Sequence, residues 1–296
     1  MLIGAFLFFV FGTVIGSFLN VVVLRYHGTC ALFGRPAYAG RSRCFSCGNS
    51  IKAHDLIPIL SFCLLRGRCR HCRSKISIQY PLVEALTGLI FAVIFLQGTE
   101  LAVPFLSLAP LIPYPFLLPL VIVLNLWVWS FLIAIGIYDL KHKIIQDALV
   151  WAFVALGFFF ALGRLTWGMD LLFYDLLQLS AGPLLAIPFA LLWLVSRGRW
   201  IGLGDAKLAL GMGWFAGPLF GFSAVTLGFW AGALWSICVL LLPKLSAVFS
   251  MRSPLSASLR HLSLKSEIPL APFLILGLFG AQLFFIDAFS VGALFR

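Results

Sequence analysis

The chain has 296 residues, of which 62% are hydrophobic and only 10% charged, with a formal net charge of +11 and a mean hydropathy of +1.07. Soluble domains carry about 25% charged residues to keep their surfaces wet, so this composition excludes that class and points to an all-α polytopic membrane protein. On such a chain the positive excess reports topology and contact with anionic lipid headgroups, and no nucleic-acid partner is expected.

Apolar runs near residues 2–24, 80–98, 115–138, 148–163, 176–196, 206–221, 222–243 and 269–289 predict eight transmembrane helices, each needing about 20 residues to cross the hydrocarbon core. The division of 206–243 into two spans rests on Gly217, Pro218 and Gly221, which mark a tight turn. The first run has no basic residue before it and no small-residue cleavage site after it, so it reads as a retained helix rather than a signal peptide. Of the 21 Lys and Arg residues, 19 fall in the alternate loops 25–79, 139–147, 197–207 and 244–268, leaving Arg164 and Arg296 on the other side. The basic loops are therefore expected in the cytoplasm and both termini outside. The chain divides into a first helix (1–24), a cytoplasmic insert (25–79) and a seven-helix bundle (80–296).

The insert holds two C-x-x-C pairs, Cys44 with Cys47 and Cys69 with Cys72, separated by 21 residues. This is close to the spacing of a four-cysteine zinc ribbon, in which thiolates hold the metal tetrahedrally and the metal replaces a hydrophobic core. Gly48 suits a knuckle turn that needs positive φ. A cytoplasmic loop is kept reducing, which weighs against disulfides and favours structural zinc over idle thiols. Cys30, Cys63 and Cys238 fit no pair and read as packing residues. The run LIPILSFCLL between the pairs is too short to span a membrane; it is expected to pack under the ribbon or against the bilayer surface.

Two carboxylates stand out. Asp139, in IYDLKHKIIQD, closes the third span, and Asp205, in GLGDAKL, opens the sixth, so topology sets both at the cytoplasmic face and permits them to meet. A carboxylate near low dielectric is costly unless it is paired, hydrogen-bonded or protonated, which marks it as a functional candidate. Two such groups sharing a proton form an acid and a base that act on water, the chemistry of an aspartic protease. Gly202 and Gly204 clear space beside Asp205 for a substrate backbone, and Lys207 is placed to tune its charge or to bind a substrate group. Taken alone, GLGDAKL favours the plainer reading, Asp205 capping a helix N-terminus. Asp147 also reads as a cap. Glu84, inside the second span, needs a partner from a basic residue of the insert or from a backbone group.

Together these stretches resemble the bacterial type IV prepilin peptidases. GSFLNVVVLR, the two cysteine pairs around LIPILSF, RGRCRHC followed by ISIQYPLVE, the Asp139 segment, GLGDAKL and IPLAPFLILG match family blocks in the same order. The resemblance implies an enzyme of the bacterial inner membrane that removes the basic leader from prepilins or pseudopilins at the cytoplasmic face, with Asp139 and Asp205 as the catalytic pair. Many members also methylate the new N-terminus with S-adenosylmethionine, which no glycine-rich nucleotide fingerprint in this sequence supports independently. Two positions depart from the family pattern: Gln146 stands where a proline usually precedes the second acid of the Asp139 segment, and Phe45 where a proline follows the first cysteine. Both changes are expected to alter loop rigidity rather than to remove a ligand or a carboxylate. The main alternative is a proton-coupled transporter using Asp139 and Asp205 as relay carboxylates, which would set acids at the midplane of inverted halves.

Overall fold

A computed structural model describes residues 1–25, 42–108, 111–165, 172–248 and 269–284. The first part of the insert with Cys30, most of the basic loop 244–268, the end of the last expected span and Arg296 lie outside the described residues. Among these residues the protein is helical, with only two isolated antiparallel bridges, Arg43 with Ser50 and Arg68 with Lys75. It divides into two compact units, 1–137 and 138–296.

In the first unit, α1 (Leu2–Arg25) follows from an uncharged apolar run that ends at the first arginine. It packs along α3 (Gln79–Leu96), which tolerates Pro81 because the proline falls in the first turn. Small residues set the approach: a Cβ on Gly12 would lie 2.8 Å from the Gly88 Cα, and one on Gly16 3.0 Å from the Glu84 Cα. Close backbone contact of this kind replaces the hydrophobic drive that lipid cannot supply between helices. Polar groups in the contact are satisfied locally, Thr13 and Thr87 bonding the carbonyls of Val10 and Val83 at 2.7 Å and Asn20 reaching the Tyr80 carbonyl at 3.4 Å. Between these helices lie the cysteine insert and the short α2 (Leu60–Leu64); after them come α4 (Gly98–Ala102) and a 3-10 stretch, Val103–Leu108.

The long α5 (Tyr114–His142) carries the chain across the unit boundary and delivers Asp139 to the second unit. There α6 (Asp147–Gly163), α7 (Leu172–Ser196), α9 (Pro218–Val248) and α10 (Ala271–Phe284) all pack on α8 (Leu203–Ala216). Its glycines explain how so many helices reach it. A Cβ on Gly213 would strike the Ala181 carbonyl of α7, and one on Gly157 of α6 would stand 2.7 Å from the Gly211 carbonyl. The far end of α8 is capped from outside, Arg164 donating to the carbonyls of Trp214 and Phe215 that the helix leaves unpaired.

Among the described residues, five helices are long and apolar enough to cross a membrane: Leu2–Val23, Gln79–Leu96, Tyr114–His142, Leu172–Ser196 and Pro218–Val239. The other three expected spans fall on α6, α8 and α10, described over 17, 14 and 14 residues. The chain breaks at Gly217 (φ +81) and resumes at once at Pro218, the first residue of α9. Gly221 is therefore not part of the turn; it lies inside α9, where its missing side chain makes room for Leu185.

Because the obstacle at Gly213 is backbone, Gly213→Val is expected to push α7 and α8 apart and to cost about 1–3 kcal/mol. A lowered thermal midpoint of the detergent-solubilised protein is the measurement, with Gly48→Ala, where a Cβ meets nothing within 4 Å, separating crowding from φ strain.

Candidate active site and metal centre

The four cysteines converge through two turns of the same construction. The Cys44 amide donates to the Asn49 carbonyl and the Gly48 amide to the Cys44 carbonyl, both at 2.9 Å; the Cys69 amide donates to Ser74 at 2.9 Å and the Arg73 amide to Cys69 at 3.0 Å. Each turn closes with a positive-φ residue four positions after its first cysteine, Gly48 at +72° and Arg73 at +57°. The sulfur atoms of Cys44, Cys47, Cys69 and Cys72 all lie within 4.8 Å of one another. Zinc–sulfur bonds of about 2.3 Å in a tetrahedron separate sulfurs by about 3.8 Å, and the Cys44 and Cys72 sulfurs are 3.8 Å apart. The cluster can hold a metal ion. Amides of Cys47 and Ser46 donate to the Cys44 sulfur and bring its pKa down to about 6, and the Ser74 hydroxyl lowers that of Cys72, whereas desolvation and the Cys44 and Cys72 sulfurs push Cys47 up to about 11, so Cys44 and Cys72 ionise before Cys47.

Around the cluster the insert is braced by charge and by a buried acid. Arg70, beside the second pair, forks onto Asp55 of the 3-10 turn Ala53–Leu56 with contacts of 2.6, 3.0 and 3.2 Å, which holds Asp55 below the usual carboxylate range. Glu84 takes its bonds from the Ile59 amide at 2.8 Å and from Ser17. Ile59 sits at φ +59, a conformation that costs a β-branched residue about 1–3 kcal/mol, and its amide in that conformation donates to Glu84.

In the second unit the two aspartates come from elements far apart in sequence. Asp139, in the last turn of α5, is 5% exposed, and its Oδ2 accepts the Ala271 amide, the first residue of α10, at 3.2 Å. Asp205 is the third residue of α8; Gly202, extended at φ −75 and ψ 150, is the N-cap, and the Asp205 carboxylate reaches back to the Gly202 backbone. Asp205 lies within electrostatic reach of Asp139. Gly204 makes room for the 143–146 loop: a Cβ there would stand 2.7 Å from the Ile145 Cβ. Its clearance therefore serves the loop that follows Asp139, while a Cβ on Gly202 would meet only the Asp205 carboxylate and the Gly204 nitrogen at ordinary contact distances of 3.5 and 3.9 Å.

Asp147 is not the cap it was expected to be, and Lys207 is its partner. The cap of α6 is Gln146 and Asp147 is the first helical residue, its carboxylate paired with the Lys207 ammonium at 2.5 Å; that ammonium also lies 5.7 Å above the Trp151 ring. Thus Lys207 joins the start of α6 to the start of α8. Nothing local in the sequence signals that partnership, nor the Ala271 amide on Asp139, because each joins residues brought together only by helix packing.

Comparison with known proteins follows the same division. Residues 10–98, which hold the cysteine cluster and Glu84, match the Bacterial Peptidase A24 N-terminal domain. Residues 126–241, which hold Asp139 and Asp205, match the Type IV leader peptidase family. The "Type 4 prepilin-like proteins leader peptide-processing enzyme" of Escherichia coli O78:H11 (strain H10407 / ETEC) is 32% identical over 228 residues, covering 70% of this chain and 75% of that protein. The chain belongs to the type IV leader peptidase family. A "Prepilin leader peptidase/N-methyltransferase" of Aeromonas hydrophila is 33% identical over 246 residues, 72% of this chain and 74% of the relative. One of Myxococcus xanthus (strain DK1622) is 49% identical over 83 residues, 28% of this chain and 23% of that one. No solved structure matches the chain. None of these family relatives is a transporter, and the relay reading of the two aspartates finds no support among them.

Proposed function

We propose that this leader peptidase is a membrane aspartic endopeptidase that cleaves the basic leader from type IV prepilins or pseudopilins, with Asp139 and Asp205 as the catalytic pair. What supports the reading is that two carboxylates from different helices fall in one unit and within electrostatic reach of each other. Two carboxyl groups sharing a proton divide the work: the ionised one takes a proton from water as it attacks the scissile carbonyl, and the other gives its proton to the departing amine. The Ala271 amide on Asp139 and the Gly202 backbone on Asp205 hold the two groups in place while protons move.

The wider reading keeps eight spans, with α6, α8 and α10 crossing where local packing shortens the path, both termini outside and the site at the cytoplasmic face of the bacterial inner membrane. It also keeps the division into a first helix (1–24), an insert (25–79) and a bundle (80–296). A basic leader is held near anionic lipid while the apolar pilin helix enters between spans, helix against helix. Zinc in the four-cysteine cluster supplies folding energy to the insert rather than chemistry to the cut. Methylation of the new N-terminus with S-adenosylmethionine rests on the relatives' names.

Mass spectrometry of a prepilin incubated with the purified enzyme tests the reading. The expected product has lost its leader, and one methyl group is gained only when the methyl donor is added. An intact leader after incubation in anionic liposomes overturns the peptidase; a cut product that never gains the methyl group overturns the second activity alone.

A further inference from the structure

The insert leaves apolar side chains that neither the cysteine cluster nor the helices of its own unit cover. Leu56 and Ile57, where the 3-10 turn ends, and Leu60 and Leu64 on α2 are 43%, 47%, 61% and 82% exposed, all within nine residues. Clustered exposure of this kind marks a contact surface. Two further observations say what the contact is. The first is depth: the Ile59 amide, one residue before α2, is bound by Glu84, the sixth residue of the membrane helix α3, so α2 is held level with the opening turns of a membrane span. The second is charge: Lys52, Arg66, Arg68, Arg73 and Lys75 flank the apolar stretch and are exposed, while the only acid in residues 42–78, Asp55, is engaged by Arg70.

We propose that α2 and the turn before it form an interfacial docking element, seated at the boundary of headgroups and acyl chains in an anionic leaflet of the chain's own membrane. Apolar side chains enter that boundary while the surrounding Lys and Arg residues meet the lipid phosphates. Glu84 sets the depth and the cysteine knuckles are held against the surface. The assignment uses neither the cleavage reaction nor its aspartates, so it stands or falls separately from the proposed function.

Cys63, exposed on α2 and outside the four-cysteine cluster, supplies the probe. In metal-loaded protein carrying Cys30→Ala and Cys238→Ala it is labelled with an environment-sensitive NBD group, the site verified by peptide mass, and the protein is reconstituted in vesicles of phosphatidylglycerol and phosphatidylcholine. The expected result is a blue-shifted emission, quenching by lipid nitroxides carried near the headgroup, and little quenching by aqueous iodide. Leu60→Glu with Leu64→Glu should abolish the lipid quenching with metal content unchanged, and vesicles of phosphatidylcholine alone should weaken it. Quenching by iodide without quenching by lipid nitroxide would place α2 in water. Protection from both would place it under protein, and either outcome overturns the proposal.

Discussion

Asp139→Asn and Asp205→Asn are each expected to lose leader cleavage by at least about 1,000-fold, within the range that a positioned acid or base contributes, while expression and helix content stay near those of the unaltered chain. The amide keeps the size of the carboxylate and keeps an oxygen to accept the Ala271 or Gly202 backbone bond, but it cannot take up a proton from water. The double variant should be no worse than either single one, because two groups that share one proton act as a unit. A purely structural Asp205 predicts the opposite, since Asn serves a helix N-terminus about as well as Asp. Cleavage of a prepilin followed by mass spectrometry decides between them, and clear turnover by either Asn variant removes the dyad. If methylation proceeds at a separate place, both variants should still methylate a pilin that has already been cut.

Replacing any one of Cys44, Cys47, Cys69 or Cys72 by Ser is expected to empty the metal site and loosen the insert while leaving the membrane helices folded. Structural zinc binding is worth about 10–16 kcal/mol to a small metal domain, far more than the two isolated bridges and the exposed Asp55–Arg70 pair can replace. Elemental analysis of the purified protein should find one zinc per chain in the unaltered form and none in the variants, and limited proteolysis should then cut within residues 42–78 first. Zinc absent from carefully purified unaltered protein, or an insert equally resistant after chelation, contradicts this account.

What was legible in the sequence was local. The cysteine spacing foretold the cluster because a tetrahedral metal needs its ligands in two short turns, and the break after Ala216 was visible because Gly217 and Pro218 stand together. The long spans were legible because twenty apolar residues in a row have few other uses. What was hidden depends on packing. Arg73 takes the same left-handed turn as Gly48 without a glycine to announce it. Lys207 turns to Asp147 across 60 positions, and Asp139 takes its bond from a residue 132 positions away. Of the two kinds of partner expected for Glu84 the backbone group is the one found, and nothing near Glu84 in the sequence points to the amide of Ile59 in particular.

The brevity of α8 bears on where hydrolysis takes place. Fourteen residues rise about 21 Å, against a hydrocarbon layer of about 30 Å, and on the proposed eight-span reading the last turn of this helix, tied to Arg164, is its anchor at one surface. Measured from that anchor, the first turn with Asp205 stops short of the opposite surface. On that reading the acid lies at the floor of a dimple, where a thinned bilayer lets water reach below its ordinary boundary. The same reading makes a pilin helix of normal length too long for the membrane it would meet there, which would lift its junction with the leader out of lipid toward the wet end of the site as an effect of thickness alone.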